Sequence, residues 1–223
     1  METTKFKLIK SNRRTLALHI SNTGELIIKA PKHLPRRFIL NFIDEKKSWI
    51  HKKQLIVKEK QEYLKKNKIK PGNKAPFLGE FYEIMLNDKQ KLSVIFDNKF
   101  ILNSDEKIMM SLVKWYKIEA ANIIPGIVEC EAMKYNFKFS NIKITSAKKR
   151  WGSCTSKGNL NFSWRLITLP EDVVKYVVMH ELAHLKALNH SKNFWAIVEK
   201  LLPNYRFYER WLKKNSYKFS LNF

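Results

Sequence analysis

Hydrophobic and polar positions alternate in three short segments near the start of the chain. The segments cover residues 5–10, 15–21 and 25–30, and Ser11-Asn12 and Asn22-Thr23-Gly24 lie between them. Alternation interrupted by Asn, Ser and Gly predicts β-strands joined by tight turns. We therefore expect an N-terminal β-strand module.

A long amphipathic helix is predicted next, over residues 35–66. Apolar residues recur there every seven positions in two neighbouring stripes, and lysines occupy the remaining surface. The stripes consist of Phe42, Trp49, Ile56 and Tyr63, and of Ile43, Ile50, Val57 and Leu64. This spacing predicts a face that packs onto a core rather than onto a partner chain.

The rest of the pattern completes an α+β architecture. Residues 66–75 are polar and contain Pro71-Gly72, which predicts a linker. The elements predicted after it are a short β-meander at 76–86, 92–96 and 100–103, a helical block at 106–135 that Pro125 kinks or divides, strands at 142–146 and 160–167, and two short helices around Pro203. We predict three domains, 1–70, 71–104 and 105–223, or one compact unit that contains them all.

Residues 173–195 carry the candidate chemistry. His180, Glu181 and His184 form an H-E-x-x-H pattern, and His190 follows six residues after His184. Histidines four residues apart on a helix face the same way, with Cβ atoms about 5–6 Å apart, which suits two ligands of one zinc ion. The Glu181 carboxylate can reach a water molecule beside the metal without being a ligand. The pattern predicts a hydrolase with one zinc, or another divalent transition metal, per chain.

The residues before His180 strengthen this interpretation. Thr168 and Glu171 form a T-x-x-E capping box, and Pro170 suits the first turn of a helix. The helix is apolar below the motif, with valines at 173, 174, 177 and 178. A carboxylate among such side chains is costly unless a positive charge compensates it, and a divalent cation is the simplest compensation.

The third ligand requires the helix to end, because a continuous helix would carry His190 away from His180 and His184. Asn189 is the predicted end, since Asn tolerates the left-handed conformation at which many helices stop. Glu199, on the following helix, is the alternative third ligand. The two cysteines form no C-x-x-C pair, so a metal site built mainly from cysteine ligands is excluded.

Composition adds a location and a class of partner. The 223 residues are 44% hydrophobic, as in a globular protein, and contain neither the apolar core of a signal peptide nor an apolar run long enough to span a membrane. We predict a cytoplasmic protein without membrane contact. A net charge of +23 attracts polyanions, which makes nucleic acid or a nucleotide a candidate partner. The lysines are spread along the whole chain, which also fits a lysine-rich composition, and residues 148–150 form the one basic cluster near the motif.

Several stretches resemble the YgjP-type metallopeptidase domain, a family related to the WLM and SprT-like minimal zincins. They are KRWGSC (149–154), NFSWRLI (161–167), YVVMHELAHL (176–185), NHSKNFW (189–195), RRTLALHIS (13–21), IIKAP (27–31), KSWI (47–50) and WYK (115–117). The resemblance implies a zincin-like catalytic domain, in which the H-E-x-x-H helix packs on a small mixed or antiparallel sheet. It also implies that His180, His184 and His190 hold zinc and that Glu181 is the catalytic base.

The most probable function on these grounds is a zinc peptidase that acts on peptides or proteins. Zincins bind extended peptides along a strand edge, and the predicted strand 160–167 precedes the metal helix. Arg150, Arg165, Asn161 and Ser163 are therefore candidate substrate contacts, although the two arginines suit structural salt bridges equally well. The alternatives are a metal-dependent phosphate-ester or nucleoside-triphosphate hydrolase, and a nucleic-acid-associated protease or binding module.

Overall fold

A computed structural model describes residues 5–104 and 107–221. The chain divides into two compact units, Met1–Lys66 and Asn67–Phe223. Within the described ranges, every helix is too short or too polar to span a lipid bilayer. The mixed content of helices and small sheets confirms the predicted α+β class.

The first unit contains a three-stranded sheet and two helices. The strands are β1 (Phe6–Ser11), β2 (Ala17–Ile20) and β3 (Leu26–Pro31), and the helices are α1 (Arg36–Glu45) and α2 (Lys47–Lys66). β3 lies in the middle, parallel to β1 and antiparallel to β2. The core of this unit is formed by Leu26, Ile28, Ala30, Ile39, Ile43 and Ile50.

The prediction of one long helix with a continuous packing face is wrong. The helix is interrupted at Lys46, and Trp49 and Ile56 are 41% and 45% exposed. Only Ile50 of α2 is buried. The remaining stripe residues of α2, Val57, Tyr63 and Leu64, are half-buried, so only part of the predicted stripe is covered.

The second unit begins with a four-stranded sheet and a long helix. The strands are β4 (Lys74–Phe77), β5 (Glu80–Leu86), β6 (Val94–Phe96) and β7 (Phe100–Leu102), and the helix is α3 (Ile108–Lys134). The sheet order is β4-β5-β7-β6, with β5 and β7 parallel, so the predicted meander is wrong. The connection after β5 crosses to the far edge, and the β6–β7 hairpin then returns β7 to the side of β5.

Helix α3 runs through Pro125 without dividing, so the alternative of two helices is wrong. Its buried residues recur every four positions from Ile108 to Val128, on both sides of the proline. This stripe packs into the main hydrophobic core. Tertiary burial on both sides therefore keeps the helix continuous where the local sequence favours a break.

A second three-stranded sheet and three helices complete this unit. The strands are β8 (Asn141–Thr145), β9 (Gly152–Cys154) and β10 (Asn159–Ser163), and the helices are α4 (Glu171–Ala183), α5 (Lys192–Leu201) and α6 (Tyr205–Asn215). β10 lies between β8, to which it is parallel, and β9, to which it is antiparallel. It therefore has no free edge, which contradicts the prediction that this strand offers its edge to a peptide.

The predicted strand 160–167 ends at Ser163, and a 3₁₀ helix follows at Trp164–Thr168. The Ser163 hydroxyl accepts a hydrogen bond from the Arg165 amide at 3.4 Å and donates one to the carbonyl of Ala147 at 2.7 Å. Side chains of this type end strands and begin helical turns in the same way. The alternation of apolar and polar residues continues from β10 into the 3₁₀ helix because each of them buries large apolar side chains.

Candidate metal centre

Helix α4 lies in the interior of the second unit and is contacted by α3, α5, α6, β9 and the 3₁₀ helix. It begins after Pro170, which makes no side-chain cap, so the predicted capping box is wrong. The hydroxyl of Thr168 instead donates to the carbonyl of Arg165 at 2.7 Å, because Thr168 is the last residue of the 3₁₀ helix. The start of α4 is therefore positioned by the preceding helical turn.

The β4–β5 hairpin supports the same end of α4. Its turn consists of Leu78 and Gly79, which both have positive φ, at 47° and 91°. Their amides donate to the carbonyls of Ile167 and Thr168 at 2.8 and 3.3 Å. A Cβ on Gly79 would lie 2.7 Å from the Cα of Pro170, so glycine is required at this approach.

The helix ends at Ala183, several residues before Asn189, so the predicted position of the break is wrong. Amides of Leu185, Lys186 and Ala187 bond back to carbonyls of the last helical turn. A closed turn of this kind satisfies the terminal carbonyls without a left-handed residue. The chain can then reverse direction well before His190.

This reversal brings the three histidines of the motif together. Nε2 of His180 lies 3.0 Å from Nε2 of His190. One nitrogen from each of His180, His184 and His190 lies within 4.8 Å of the others, and among the described residues this is the group of three that could hold a metal ion. Glu199, the alternative third ligand, is outside the cluster, on the wall of a cleft beside His190.

Aromatic side chains enclose the cluster. The buried ring of Phe194 stacks on His184 with 4.3 Å between ring centroids, and Trp195 lies 5.8 Å from the rings of His180 and His190. Burial, together with the other two histidines, lowers the pKa of His180 to about 3, and burial also lowers the pKa of His184. Both imidazoles are therefore neutral near pH 7, which is the form that binds metals.

The donor set fits a divalent metal. Nδ1 of His184 donates to the carbonyl of Ala187 at 3.0 Å, which leaves the lone pair on Nε2. Zinc bound tetrahedrally by imidazoles places two ligand nitrogens roughly 3.3 Å apart. The 3.0 Å between His180 and His190 is close to that separation. The sequence does not predict that the Ala187 carbonyl accepts this hydrogen bond, because a backbone carbonyl is present at every residue.

Glu181 follows His180 directly on α4 and is 5% exposed. Its Oε2 atom is buried and has no hydrogen-bond partner in the described part of the chain. Burial raises the pKa of Glu181 to about 8, and the positive charge of Arg150 opposes that rise. The carboxyl group is thus poised to exchange a proton near neutral pH.

The four candidate substrate contacts lie in different environments. Arg165 donates to the carbonyl of Ser146 at 3.1 Å and covers the ring of Trp164 at 4.2 Å. Ser163 is buried, and the amide nitrogen of Asn161 lies 3.4 Å from the hydroxyl of Ser153. Arg150 is exposed and acts on Glu181 through its charge.

A cleft of about 630 Å³ opens beside the cluster. It is bounded by α5 and α6 and includes His190 itself. The other lining residues are Lys192, Trp195, Ala196, Glu199, Tyr205, Arg206 and Glu209. A peptide side chain placed there would lie next to the histidines.

Comparison with known proteins identifies one family, and two of the solved structures similar to the chain are metallopeptidase zymogens. The YgjP-like metallopeptidase domain matches residues 14–215. The metallopeptidase zymogen of Pyrococcus abyssi abylysin is 26% identical over 41% of this chain and 94% of its own, with a TM-score of 0.38. The metallopeptidase zymogen of Methanocaldococcus jannaschii jannalysin is 22% identical over 42% and 96%, also with a TM-score of 0.38. No curated protein matches the chain significantly.

Proposed function

Since the chain belongs to the YgjP-like metallopeptidase family, and is therefore a metal-dependent peptidase, we propose that it uses zinc held by His180, His184 and His190, with Glu181 as general base. One observation carries the proposal. Three imidazole nitrogens lie within 4.8 Å of one another, and the residue after the first of these histidines carries a buried carboxyl group whose Oε2 has no partner in the described residues. Metal ligation uses the nitrogens, and proton transfer uses the free oxygen.

A zinc ion bound there would act as a Lewis acid on the scissile carbonyl and on water. Glu181 accepts the proton of the attacking water at Oε2 and holds it. The same carboxyl group then donates the proton to the nitrogen of the leaving amine. Burial raises the pKa of Glu181 toward neutral pH, the range in which one carboxyl group can both accept and release a proton.

The edge of β9 supports an extended peptide as the substrate. Trp151 and Thr155 form backbone hydrogen bonds to Ser163 and Asn159, at 2.8 and 3.0 Å. In an antiparallel pair these bonding positions alternate, so the peptide groups of the β9 residues Gly152 and Cys154 point away from β10. A peptide that pairs with this edge gains affinity with little preference for sequence.

The test is mass spectrometry of a proteome-derived peptide library incubated with zinc-loaded protein, with Glu181→Gln alongside. We expect cleavages with the wild type that are absent from the variant. Cleavage that persists in Glu181→Gln would overturn the role of Glu181. No cleavage by zinc-loaded protein, combined with release of phosphate from nucleotides, would overturn the choice of peptide as substrate.

A further inference from the structure

Gly152 lies directly against the side chain of Glu181. It is the first residue of β9, the edge strand, and pairs with Phe162 of β10. A Cβ built on Gly152 would lie 2.6 Å from Cγ, 2.7 Å from Oε1 and 2.8 Å from Cδ of Glu181. Carbon atoms in favourable contact are about 3.5–4.0 Å apart. Any other residue at position 152 would therefore collide with Cγ, Cδ and Oε1 of Glu181.

The backbone gives no independent reason for glycine here. The glycines of the described residues that have positive φ are Gly24, Gly72, Gly79 and Gly158, and Gly152 is not among them. Gly152 also lies in a strand, where glycine is unfavourable because it has no side chain to pack and loses more conformational freedom on folding. Glycine at position 152 instead leaves room for the side chain of Glu181.

Glu181 has little freedom to move aside. It is 5% exposed on α4, whose neighbours include Leu182 and Ala183, both fully buried. The position of Cγ is set by χ1, and a helix allows most side chains only two χ1 rotamers. A contact at 2.6 Å from Cγ therefore requires a different rotamer or a displaced strand. Either response moves the carboxylate.

We propose that Gly152 is a positioning residue for the general base: the bare backbone of β9 forms the wall that holds the Glu181 carboxylate at the metal-binding cluster. The inference rests on the proposed function, since it assumes that Glu181 is the base. Displacement of a catalytic group by about 1 Å costs roughly 10²-fold in rate. Gly152→Ala is expected to lower kcat by that factor, with zinc content preserved.

The experiment measures kcat, KM and zinc content for wild type, Gly152→Ala and Gly126→Ala. Gly126 is the matched control, since it is exposed on α3 and a Cβ there meets no atom within 4 Å. We expect Gly126→Ala to behave as the wild type. Unchanged kcat in Gly152→Ala, with an active wild type, would overturn the positioning role alone. A wild type that cleaves no peptide would instead overturn the proposed function, and the inference with it.

A second measurement separates contact with Glu181 from general damage to the strand. The shift in Tm caused by Gly152→Ala is measured in the wild type and in the Glu181→Ala background. If the collision is with Glu181, the shift shrinks to a small fraction once that side chain is removed. An equal shift in both backgrounds would show that Gly152 is required by β9 itself, and would overturn the proposal even if kcat had fallen.

Discussion

Nε2 of His180 and Nε2 of His190 lie 3.0 Å apart, although the first belongs to the interior of α4 and the second lies beyond the end of that helix. The turn after Ala183 makes this possible by reversing the chain within a few residues. A group between two such nitrogens is held by both the helix and the segment that follows it. A metal ion bound by both nitrogens would therefore add a link between α4 and His190 to the hydrogen bonds of the intervening turn.

Glu181→Gln is expected to retain zinc and to lose roughly 10²–10⁴-fold in kcat, because the amide keeps the shape of the side chain but cannot accept the proton. The measurement is peptide cleavage together with zinc content. Glu199→Gln is the control, since Glu199 lines the cleft beside His190 and is not part of the cluster. Equal loss in the two variants would mean that the effect comes from charge in the cleft.

Removal of the metal is expected to lower thermal stability, because a ligand that binds only the folded state stabilises it. With free metal at 100 times its Kd, the stabilisation is about 2.7 kcal/mol, which corresponds to a fall in Tm of roughly 5–10 °C for a unit of this size. His190→Ala should have the lower Tm from the outset and should not respond to a chelator. His51→Ala, on α2, should respond as the wild type. A wild-type Tm insensitive to chelator would contradict metal binding.

Gly79→Ala is expected to destabilise the protein more than Gly72→Ala. Both glycines have positive φ, at 91° and 77°, which costs an alanine about 1–2 kcal/mol. Gly79 would also bring a Cβ to 2.7 Å from Pro170 Cα, whereas Gly72 has free space around it. We expect the difference to be about 1–3 kcal/mol in urea denaturation. Equal losses of stability in the two variants would mean that the β4–β5 hairpin can move away from Pro170 without a loss of unfolding free energy.

Lys175→Met is expected to destabilise the protein by about 1–2 kcal/mol at pH 7, because it leaves the buried Glu131 without its ion pair. The Lys175 Nζ lies 2.8 Å from Glu131 Oε1, and their side chains are 39% and 7% exposed. Lys213→Met is the control, since its pair with Glu209 is a surface contact within one helix, worth about 0.3–0.5 kcal/mol. Similar losses of unfolding free energy in the two variants, measured by urea denaturation, would show that burial of Glu131 does not increase the contribution of its ion pair.

The same pair makes a pH prediction. The hydrogen bond from Lys175 to Glu131 raises the pKa of Lys175, although burial opposes the rise. A pKa raised by folding stabilises the protein fully below the pKa of the unfolded state, about 10.4, and the contribution disappears as pH rises through the folded pKa. The stability gap between wild type and Lys175→Met should therefore be constant from pH 7 to 9 and narrow above pH 10.5. A gap that narrows below pH 9 would contradict this assignment.

The proximity of His180 and His184 could be predicted from sequence because ligand spacing on a helix is a local property, whereas that of His190 depends on the reversal of the chain after α4. The end of the helix was misplaced because the closing turn uses backbone amides, which every residue carries. The prediction of one helix over residues 35–66 was wrong for a different reason. Its stripe has the correct period, but the amount of core available to cover it depends on the small size of the three-stranded sheet.

The contact between Gly152 and Glu181 could not be read from the sequence. The two residues are separated by a hairpin, a 3₁₀ helix and most of α4, and a glycine has no side chain that reveals its partner. The free edge of β9 was missed for a related reason. The chain returns after β9 so that β10 lies between β8 and β9. The last strand before α4, β10, is therefore the central strand, and β9 is the strand at the edge of the sheet.

The enclosed position of α4 affects how this enzyme can diversify. His180 and Glu181 lie on a helix packed by five other elements, where almost any substitution would disturb the core. The cleft beside His190 is instead built by α5 and α6, and Lys192, Ala196 and Glu199 are exposed to solvent there. Substitutions at these exposed cleft positions can therefore alter the surface next to His190 without disturbing the packing around α4.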